Sequence, residues 1–446
     1  MASVNPGVAP VASANVFEKY EESGLTARWT LAPSNYAYAN TLRRLIGCRV
    51  PVVGFRAELT AAGTTTDVEI LANTTPMTNE MLAHRIGLLP VHVEDPDAWE
   101  KDGDDYEFSC SVTHNAPQAR DITTEDIQVF RVAKDGERTP VDAGKFFKAF
   151  SYGGHTGHIL LATLKAQLKG SQGKAEELAF KAKASVGYGA EHARFIPVSR
   201  CTYAYTLDQD SARIEEVFYD WAQRHKKLER AALEADATKK EKLLKEFNTM
   251  EIQRCYLKGE DGEAYSFDFV LESVGVYTPK KIVDYALKAG ERMCENYISK
   301  DGGQAKMSYR MEPADAEIFA FDFIFDGEDH TLGHLLQTWI DTNLYGRGIV
   351  TYVAYDMFHP LADNLYLRIG VNDNNEETAR AILQEALTGC ASMFRAWTGY
   401  WAAATGSSVA PMPTQAQKPR SILRRPGPPP PPSAKSAVPA PAPAPF

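Results

Sequence analysis

One order of elements is predicted twice along this 446-residue chain, near its start and near its end. In each place an alternating strand precedes a helix with a single apolar stripe, and further strands lead to a closing helix. A helix with one apolar face must bury that face against another surface. Two such faces in one chain indicate two related modules that pack on each other as an internal pseudo-dimer.

The first occurrence begins with a strand at residues 25–31. Pro33 and Ser34 are expected to end this strand and to provide the cap of the following helix. The apolar stripe of the next helix is formed by Tyr38, Leu42, Leu45 and Ile46. Arg43 and Arg44 lie beside this stripe. A short helix is predicted at residues 78–86, and a strand and a long helix are predicted within 265–298.

The second occurrence begins with phenylalanines at alternate positions, so their four rings are expected on one face of a strand. These residues are Phe319, Phe321, Phe323 and Phe325. Asp329 and Thr331 can cap the following helix. Its stripe is formed by Leu332, Leu335, Leu336, Trp339 and Ile340. Residues 376–397 predict the closing helix.

The region between the modules is expected to be mostly β up to residue 212, because short alternating runs there are separated by Gly, Asp and Pro clusters. Residues 213–258 are rich in Lys and Glu and predict one solvated, partly docked helix. The predicted organisation is a flexible leader (1–15), a discontinuous first module (16–58 and 265–298), an inserted domain (59–264), a linker (299–315), a second module (316–401) and a disordered Pro-rich tail (402–446).

The charge of the chain is unevenly distributed. Of 48 basic and 58 acidic residues, residues 409–446 hold five basic residues and no acidic one, together with 13 of the 26 prolines. The rest is therefore strongly acidic, which argues against autonomous binding to duplex DNA. The absence of an 18-residue apolar run and of a signal-like start predicts a soluble protein without membrane contact. Six scattered cysteines without a C-x-x-C pair predict reduced thiols in a reducing, intracellular compartment.

A zinc hydrolase is the main alternative from the residues alone, because His330 and His334 have the helical spacing of a metal-binding pair. Thr331 stands where such enzymes carry a catalytic Glu, so packing histidines are favoured. Asp326, Glu328 and Asp329 are interpreted as an acidic turn that favours the helix dipole, and not as a Mg²⁺ site. A scaffold that only binds other proteins is a further alternative.

Several stretches resemble the α-like assembly subunit of multisubunit DNA-directed RNA polymerases, a family that includes the bacterial alpha subunit, the archaeal D subunit and the eukaryotic third-largest subunit. The residues that carry this resemblance are 40–46 (NTLRRLI), 73–90 (NTTPMTNEMLAHRIGLLP), 187–193 (GYGAEHA) and 267–282 (FDFVLESVGVYTPKKI). Residues 329–336 (DHTLGHLL) with His359-Pro360-Leu361 resemble the small archaeal L subunit and the eukaryotic eleventh subunit. A fusion of the two types resembles the arrangement in nucleocytoplasmic large DNA viruses.

The resemblance implies an α+β fold and a non-catalytic platform on which two large polymerase subunits assemble, with small zinc-binding subunits alongside and DNA reached only indirectly. It implies that this chain binds no cofactor and that partner subunits hold Mg²⁺ and Zn²⁺. It also implies that the protein acts in a host nucleus or cytoplasm, and in the virion if it is viral. Large-subunit docking is assigned to Arg43, Arg44, Glu80, His84 and Arg85. The internal interface is assigned to Leu42, Leu45, Ile46, Leu332, Leu335, Leu336, Trp339 and Ile340. With only Cys110 and Cys201 in the β-rich part of the insert, the zinc loop or cluster of some relatives is not expected.

Overall fold

The computed structural model describes residues 15–60, 65–133, 135–152, 154–167, 175–299, 305–315, 318–359 and 363–406. The first elements are β1 (Phe17–Ser23), β2 (Thr26–Leu31), α1 (Tyr36–Cys48) and β3 (Pro51–Gly54). The inserted region contributes β4 (Val68–Asn73), α2 (Asn79–Gly87), α3 (Pro96–Asp102), β5 (Tyr106–His114), β6 (Arg120–Thr123), β7 (Gln128–Val132), β8 (Arg138–Val141), β9 (Phe150–Tyr152), β10 (His155–Gly157), β11 (Leu160–Leu164), β12 (Glu176–Ala182) and β13 (Ser185–Tyr188).

The remaining elements complete the first half and build the second. The chain continues with β14 (Val198–Tyr205), α4 (Ser211–Lys226), α5 (Arg230–Ala235), α6 (Ala237–Met250), β15 (Phe267–Ser273) and α7 (Pro279–Glu295). The second half consists of β16 (Arg310–Pro313), β17 (Ala320–Asp326), α8 (His330–Asn343), β18 (Val350–Asp356), β19 (Asn364–Val371) and α9 (Glu376–Thr405).

The predicted α+β class is confirmed. The described strands form two four-stranded sheets, ordered β1-β2-β15-β14 and β16-β17-β19-β18, and a five-stranded sheet ordered β4-β12-β5-β7-β8. Three smaller ladders pair β3 with β13, β6 with β11 and β9 with β10. Neighbouring strands run antiparallel throughout the two four-stranded sheets, so each can cover one face with helices and leave the other to solvent.

The two four-stranded sheets share one apolar core. In the first sheet Trp29 on β2 stacks on Phe269 of β15, with ring centroids 5.0 Å apart. In the second sheet Phe323 and Phe325 are fully buried in the same cluster. Phe319 differs from the prediction, since it lies just before β17 and is 61% exposed. The alternating pattern therefore places three of the four expected rings inward.

The start of α1 is capped one residue later than predicted. The side-chain oxygen of Asn35 accepts a hydrogen bond from the backbone N–H of Tyr38 at 2.9 Å, while the hydroxyl of Ser34 is buried without a hydrogen-bond partner. Asn is at least as good a cap as Ser, so two adjacent candidates competed for one position. The apolar stripe of α1 is unaffected by this shift.

The single Lys/Glu-rich helix predicted for residues 213–258 is wrong. The structure has three helices there, α4 to α6, which we call the helical unit. A small core of its own, with Phe218, Trp221, Leu233 and Phe247, holds them together. The chain turns after α4 at Lys227, whose φ of 56° is left-handed. Alternating Lys and Glu hid the buried positions of α5 and α6 from the sequence pattern.

Module boundaries also differ from the predicted ones. Strand β14 lay in the predicted insert but pairs with β15 at the edge of the first sheet. Residues 310–313 lay in the predicted linker but pair with β17 as strand β16. Helix α9 continues through residues 402–405, which were assigned to the tail. The leader up to residue 14 and the tail from residue 407 lie outside the described residues.

The insert has a second apolar core around its five-stranded sheet. Phe55, Phe108 and Phe147 contribute to it, and α2 covers part of it with Leu82 and Ile86. This packing fixes the other face of α2 toward solvent. Among the described helices none has the length and apolar character of a membrane span. All six cysteines are free thiols.

Candidate functional site

The site begins with the packing of α1 against α8. Every predicted interface residue except Trp339 is fully buried in the shared core, namely Leu42, Leu45, Ile46, Leu332, Leu335, Leu336 and Ile340. Trp339 is partly buried and packs over Gly389 of α9, where a Cβ would collide with its ring. The structure therefore brings together the two helix stripes that the sequence placed almost 300 residues apart.

Helices α7 and α9 complete what we call the interface layer, the four helices α1, α7, α8 and α9. Three of them approach closely at Gly290 of α7, where an added Cβ would lie 2.8 Å from Leu45 of α1 and 3.0 Å from Phe394 of α9. Only glycine permits this spacing without a shift of the neighbouring side chains. Burial of each large apolar side chain stabilises the fold by about 1.5–3 kcal/mol. The apolar side chains of this layer therefore link the two halves of the chain strongly.

Ion pairs border the apolar contact. The guanidinium of Arg44 on α1 donates to Oδ2 of Asp329 at 2.8 Å and to Oγ1 of Thr331 at 2.7 Å. Asp329 also caps α8, since its Oδ1 accepts from the backbone N–H of Thr331 at 2.8 Å. The predicted capping role of Asp329 is thereby confirmed. One carboxylate thus fixes the start of α8 and binds α1.

A second ion pair is more deeply buried. Arg49, directly after α1, donates to Oε2 of Glu328 at 2.8 Å, and the Glu328 side chain is only 4% exposed. The hydroxyl of Tyr297 donates to Oε1 of the same carboxylate at 3.3 Å. Burial raises the pKa of Glu328, and the charge of Arg49 opposes that rise. For Asp329, burial is outweighed by the hydrogen bonds from Thr331 and the charges of both arginines, so its pKa lies below the usual value.

The predicted docking residues fall on two separate surfaces. Glu80, His84 and Arg85 lie on the exposed face of α2, where Arg85 donates to the carbonyl oxygen of Leu160 at 2.9 Å. Met81 of α2 and Leu88, the residue directly after it, lie on the same side and are 60% and 58% exposed. We call these five side chains the α2 face. The exposure of Met81 and Leu88 was not predicted from the sequence. Their helical spacing from His84 could have indicated that they lie on the same face as the charged residues.

The predicted arginines of α1 differ from each other. Arg43 is half-buried, and its guanidinium donates to the side chain of Asn40 within the same helix at 3.0 Å. Arg44 is engaged with α8, as described above. Only Arg43 therefore keeps its charge away from the contact between α1 and α8.

The two histidines of α8 lie among aromatic rings. His330 and His334 are 5.8 Å and 5.9 Å from the ring of Tyr355 between centroids, and His334 is also 5.5 Å from that of Tyr36. Burial and the nearby His330 lower the pKa of His334. In the part of the chain that the structure describes, no third histidine, cysteine or carboxylate joins them in a metal-binding group.

Comparison with known proteins points to one class. Residues 320–398 match the family model of the RNA polymerase Rpb3/Rpb11 dimerisation domain. The match extends from β17 through α8 to most of α9, so it contains one side of the contact between α1 and α8. The chain carries a domain of this dimerisation type.

Individual relatives extend the similarity beyond that domain. The chain is 28% identical to DNA-directed RNA polymerases II, IV and V subunit 3 of Arabidopsis thaliana, over 41% of this chain and 54% of the relative. It is 25% identical to DNA-directed RNA polymerase subunit Rpo3 of Methanobrevibacter smithii, over 60% of this chain and 92% of the relative. For Rpo3 of Pyrococcus furiosus the values are 24%, 64% and 95%. The chain spans about half the length of its plant relative, and it is homologous to the α-like subunits of RNA polymerase.

Proposed function

We propose that this chain is a non-catalytic assembly platform of a multisubunit DNA-directed RNA polymerase, on which the two large catalytic subunits assemble for transcription. The observation that carries the proposal is the burial of α8, within the matched dimerisation domain, against α1 of the other half. A contact between two polymerase modules is what a domain of the dimerisation type forms. In this chain both sides of that contact belong to one polypeptide.

The two halves form an intramolecular pseudo-dimer in this proposal. The first half pairs α1 with α7, and the second pairs α8 with α9 on a sheet of the same strand number. The shared core and the two ion pairs support this arrangement, because they fix both the distance and the orientation of the halves. A rigid pseudo-dimer would give the large subunits two fixed docking positions.

Docking of a large subunit is assigned to the α2 face together with Arg43. Exposed Met81 and Leu88 provide apolar area, while Glu80, His84 and Arg85 provide charge around it, the composition of a specific protein interface. Arg44 has a different role in this assignment. Its guanidinium is occupied by Asp329 and Thr331, so it acts on pairing of the halves and reaches a large subunit only indirectly.

The remaining expectations belong to the same proposal. The chain itself would hold no cofactor, with Mg²⁺ and Zn²⁺ in the partner subunits, and it would meet small zinc-binding subunits beside the large ones. DNA would be contacted only through the complex, in agreement with the acidic composition outside residues 409–446. The site of action would be intracellular, wherever the polymerase transcribes.

Affinity purification of the tagged full-length chain from the cells that produce it tests the proposal. We expect both large polymerase subunits in near-stoichiometric amounts, identified by mass spectrometry. Met81→Glu should reduce their recovery at least about tenfold, because it places a charge in the centre of the docking surface. Recovery would be measured against the tagged chain itself.

Met250→Glu is the matched control, since Met250 is 73% exposed on α6, away from the α2 face. Its recovery of large subunits should equal that of the unaltered chain. Purification without either large subunit would reject the platform function. Equal recovery with Met81→Glu and Met250→Glu would reject only the α2 face as the docking surface.

A further inference from the structure

Helices α1 and α8 of the interface layer carry the same short pattern. Residues 41–46 read Thr-Leu-Arg-Arg-Leu-Ile in α1, and residues 331–336 read Thr-Leu-Gly-His-Leu-Leu in α8. In both, the Thr and the three aliphatic residues are buried, while the position before the second Leu is half-buried. The pattern therefore equates α1 with α8 position by position, as expected for the two sides of a pseudo-twofold contact.

The charged residues at this contact do not follow the equivalence. Arg44 corresponds to His334, and Arg49 corresponds to Trp339. On the other side, Glu328 and Asp329 stand directly before α8, where Ser34 and Asn35 stand before α1, and neither of those two residues is charged. At the contact between α1 and the start of α8, the first half therefore supplies the two arginines, and the second half supplies the two carboxylates that they bind. Between α7 and α9 the order is reversed, since Arg395 of the second half donates to Glu291 and Glu295 of the first half.

We propose that the Arg44–Asp329 and Arg49–Glu328 pairs determine partner choice, so that a first module pairs with a second module and neither pairs with its own kind. The inference rests on the pseudo-dimer of the proposed function and names what selects its two halves. The partner that fits the arginine side of α1 is a module with an acidic turn before its helix. A second copy of the first module does not offer one.

Pairing of like modules would leave charges without partners, of which Glu328 is buried and the other three are partly buried. In a pair of two first modules, Arg44 and Arg49 would find no carboxylate before α1 of the other copy, because Ser34 and Asn35 stand there. In a pair of two second modules, Glu328 would face Trp339. An unpaired buried charge is strongly unfavourable, so we expect like pairs to be disfavoured at least about a hundredfold. The apolar stripes alone, being nearly equivalent, would not discriminate in this way.

Refolding of the full-length chain at high concentration tests the selection. Tethered modules meet at an effective concentration of roughly millimolar, so refolding near that protein concentration lets modules of different copies compete. The unaltered chain should refold to monomers and to dimers in which two copies exchange modules, because both contain only unlike pairs. Arg49→Met with Glu328→Met keeps the side-chain volume but removes the selecting charges, so the share of its dimers that contain like pairs should rise at least about tenfold. Gel filtration isolates the dimers, cross-linking with mass spectrometry identifies which modules face each other in them, and circular dichroism checks folding.

Two comparisons keep the outcome decisive. Arg347→Met with Glu385→Met removes an exposed ion pair of the second half, 2.8 Å long, and should leave the share of like pairs unchanged. Arg49→Glu with Glu328→Arg restores a pair in reversed order, and it should form fewer like pairs than Arg49→Glu alone. The proposal is overturned if the folded double Met variant forms no more like pairs than the unaltered chain, or if the reversed pair forms as many as the single change.

This experiment separates the inference from the function on which it rests. The measurement uses purified chain without polymerase partners, so it does not depend on large-subunit docking. Selective pairing together with failed capture of the large subunits would reject the platform function alone. Unselective pairing together with normal capture would reject the role of the charges alone.

Discussion

The interface layer and the helical unit are both built from amphipathic helices, but they bury their apolar faces in different ways. The interface layer joins residues from opposite ends of the chain, and the ion pairs between α1 and the start of α8 connect positions 279 and 285 residues apart. The helical unit buries Phe218 and Phe247 in a core made only of residues 214–255. Its inter-helix ion pairs, Lys226–Glu246 and Lys240–Glu215, are similarly local.

The difference separates global from local stability. Contacts that join distant residues are lost together when the two halves part, so damage in the interface layer should affect the whole described fold. A small core of local contacts can open by itself at lower cost. We therefore expect the helical unit to tolerate loss of its core while the two sheets and the interface layer stay folded.

Leu336→Asp should have the largest effect, because it places a carboxylate where a fully buried leucine lies between α8 and α1. An unpaired buried charge together with lost apolar packing should cost more than about 4 kcal/mol of unfolding free energy. Thermal unfolding of the full-length chain measures the loss. Thr342→Asp changes an exposed residue of the same helix and should shift the midpoint only slightly.

Recovery of large polymerase subunits with the Leu336→Asp variant provides a second measurement. We expect it to fall with the loss of the fold. Unfolding of Leu336→Asp at the same temperature as Thr342→Asp would contradict the placement of Leu336 in the contact between the halves.

Phe247→Ala should have a smaller and local effect. Removal of a fully buried aromatic ring costs about 3–5 kcal/mol, which a core of this size cannot absorb. Amide hydrogen exchange should therefore accelerate across residues 211–255 and stay unchanged in α1 and α8. Met250→Ala, at an exposed position of the same helix, is the control. Acceleration that spreads into α1 or α8 would show that the helical unit is coupled to the interface layer.

The sequence predicted the interface layer better than the helical unit, for physical reasons. The stripes of α1 and α8 are wide and uninterrupted, so their period of 3.6 residues is visible. In α6 only Leu243 and Phe247 are buried among charged neighbours, and α5 is a six-residue helix that a period cannot reveal. The pairing of β14 with β15 joins strands more than 60 residues apart, and no local pattern encodes that choice.

The candidate site was likewise predictable only in part. Apolar interface positions follow from periodicity, and the family resemblance selected charged residues on α1 and α2. The Arg49–Glu328 pair escaped prediction, because an acidic turn before a helix satisfies the helix dipole without any distant partner. Only the fold shows that the carboxylate of Glu328 is buried and bound by an arginine from the other half.

Arg44→Glu and Arg43→Glu should have the smallest effects and separate pairing from docking. Arg44→Glu removes the bonds to Asp329 and Thr331 and places a negative charge beside Asp329, at a cost of about 1–2 kcal/mol. Arg43→Glu removes only a bond to Asn40 within α1 and should cost less than about 0.5 kcal/mol. Thermal unfolding compares the two variants, and equal shifts of their unfolding temperatures would show that the contact of Arg44 with α8 does not stabilise the pairing.

If Arg43 meets a large subunit, Arg43→Glu should lower recovery of that subunit at an unchanged unfolding temperature. Arg44→Glu should lower the recovery and the unfolding temperature together. Adjacent arginines on one helix would then serve two different contacts, one within the chain and one with its partner.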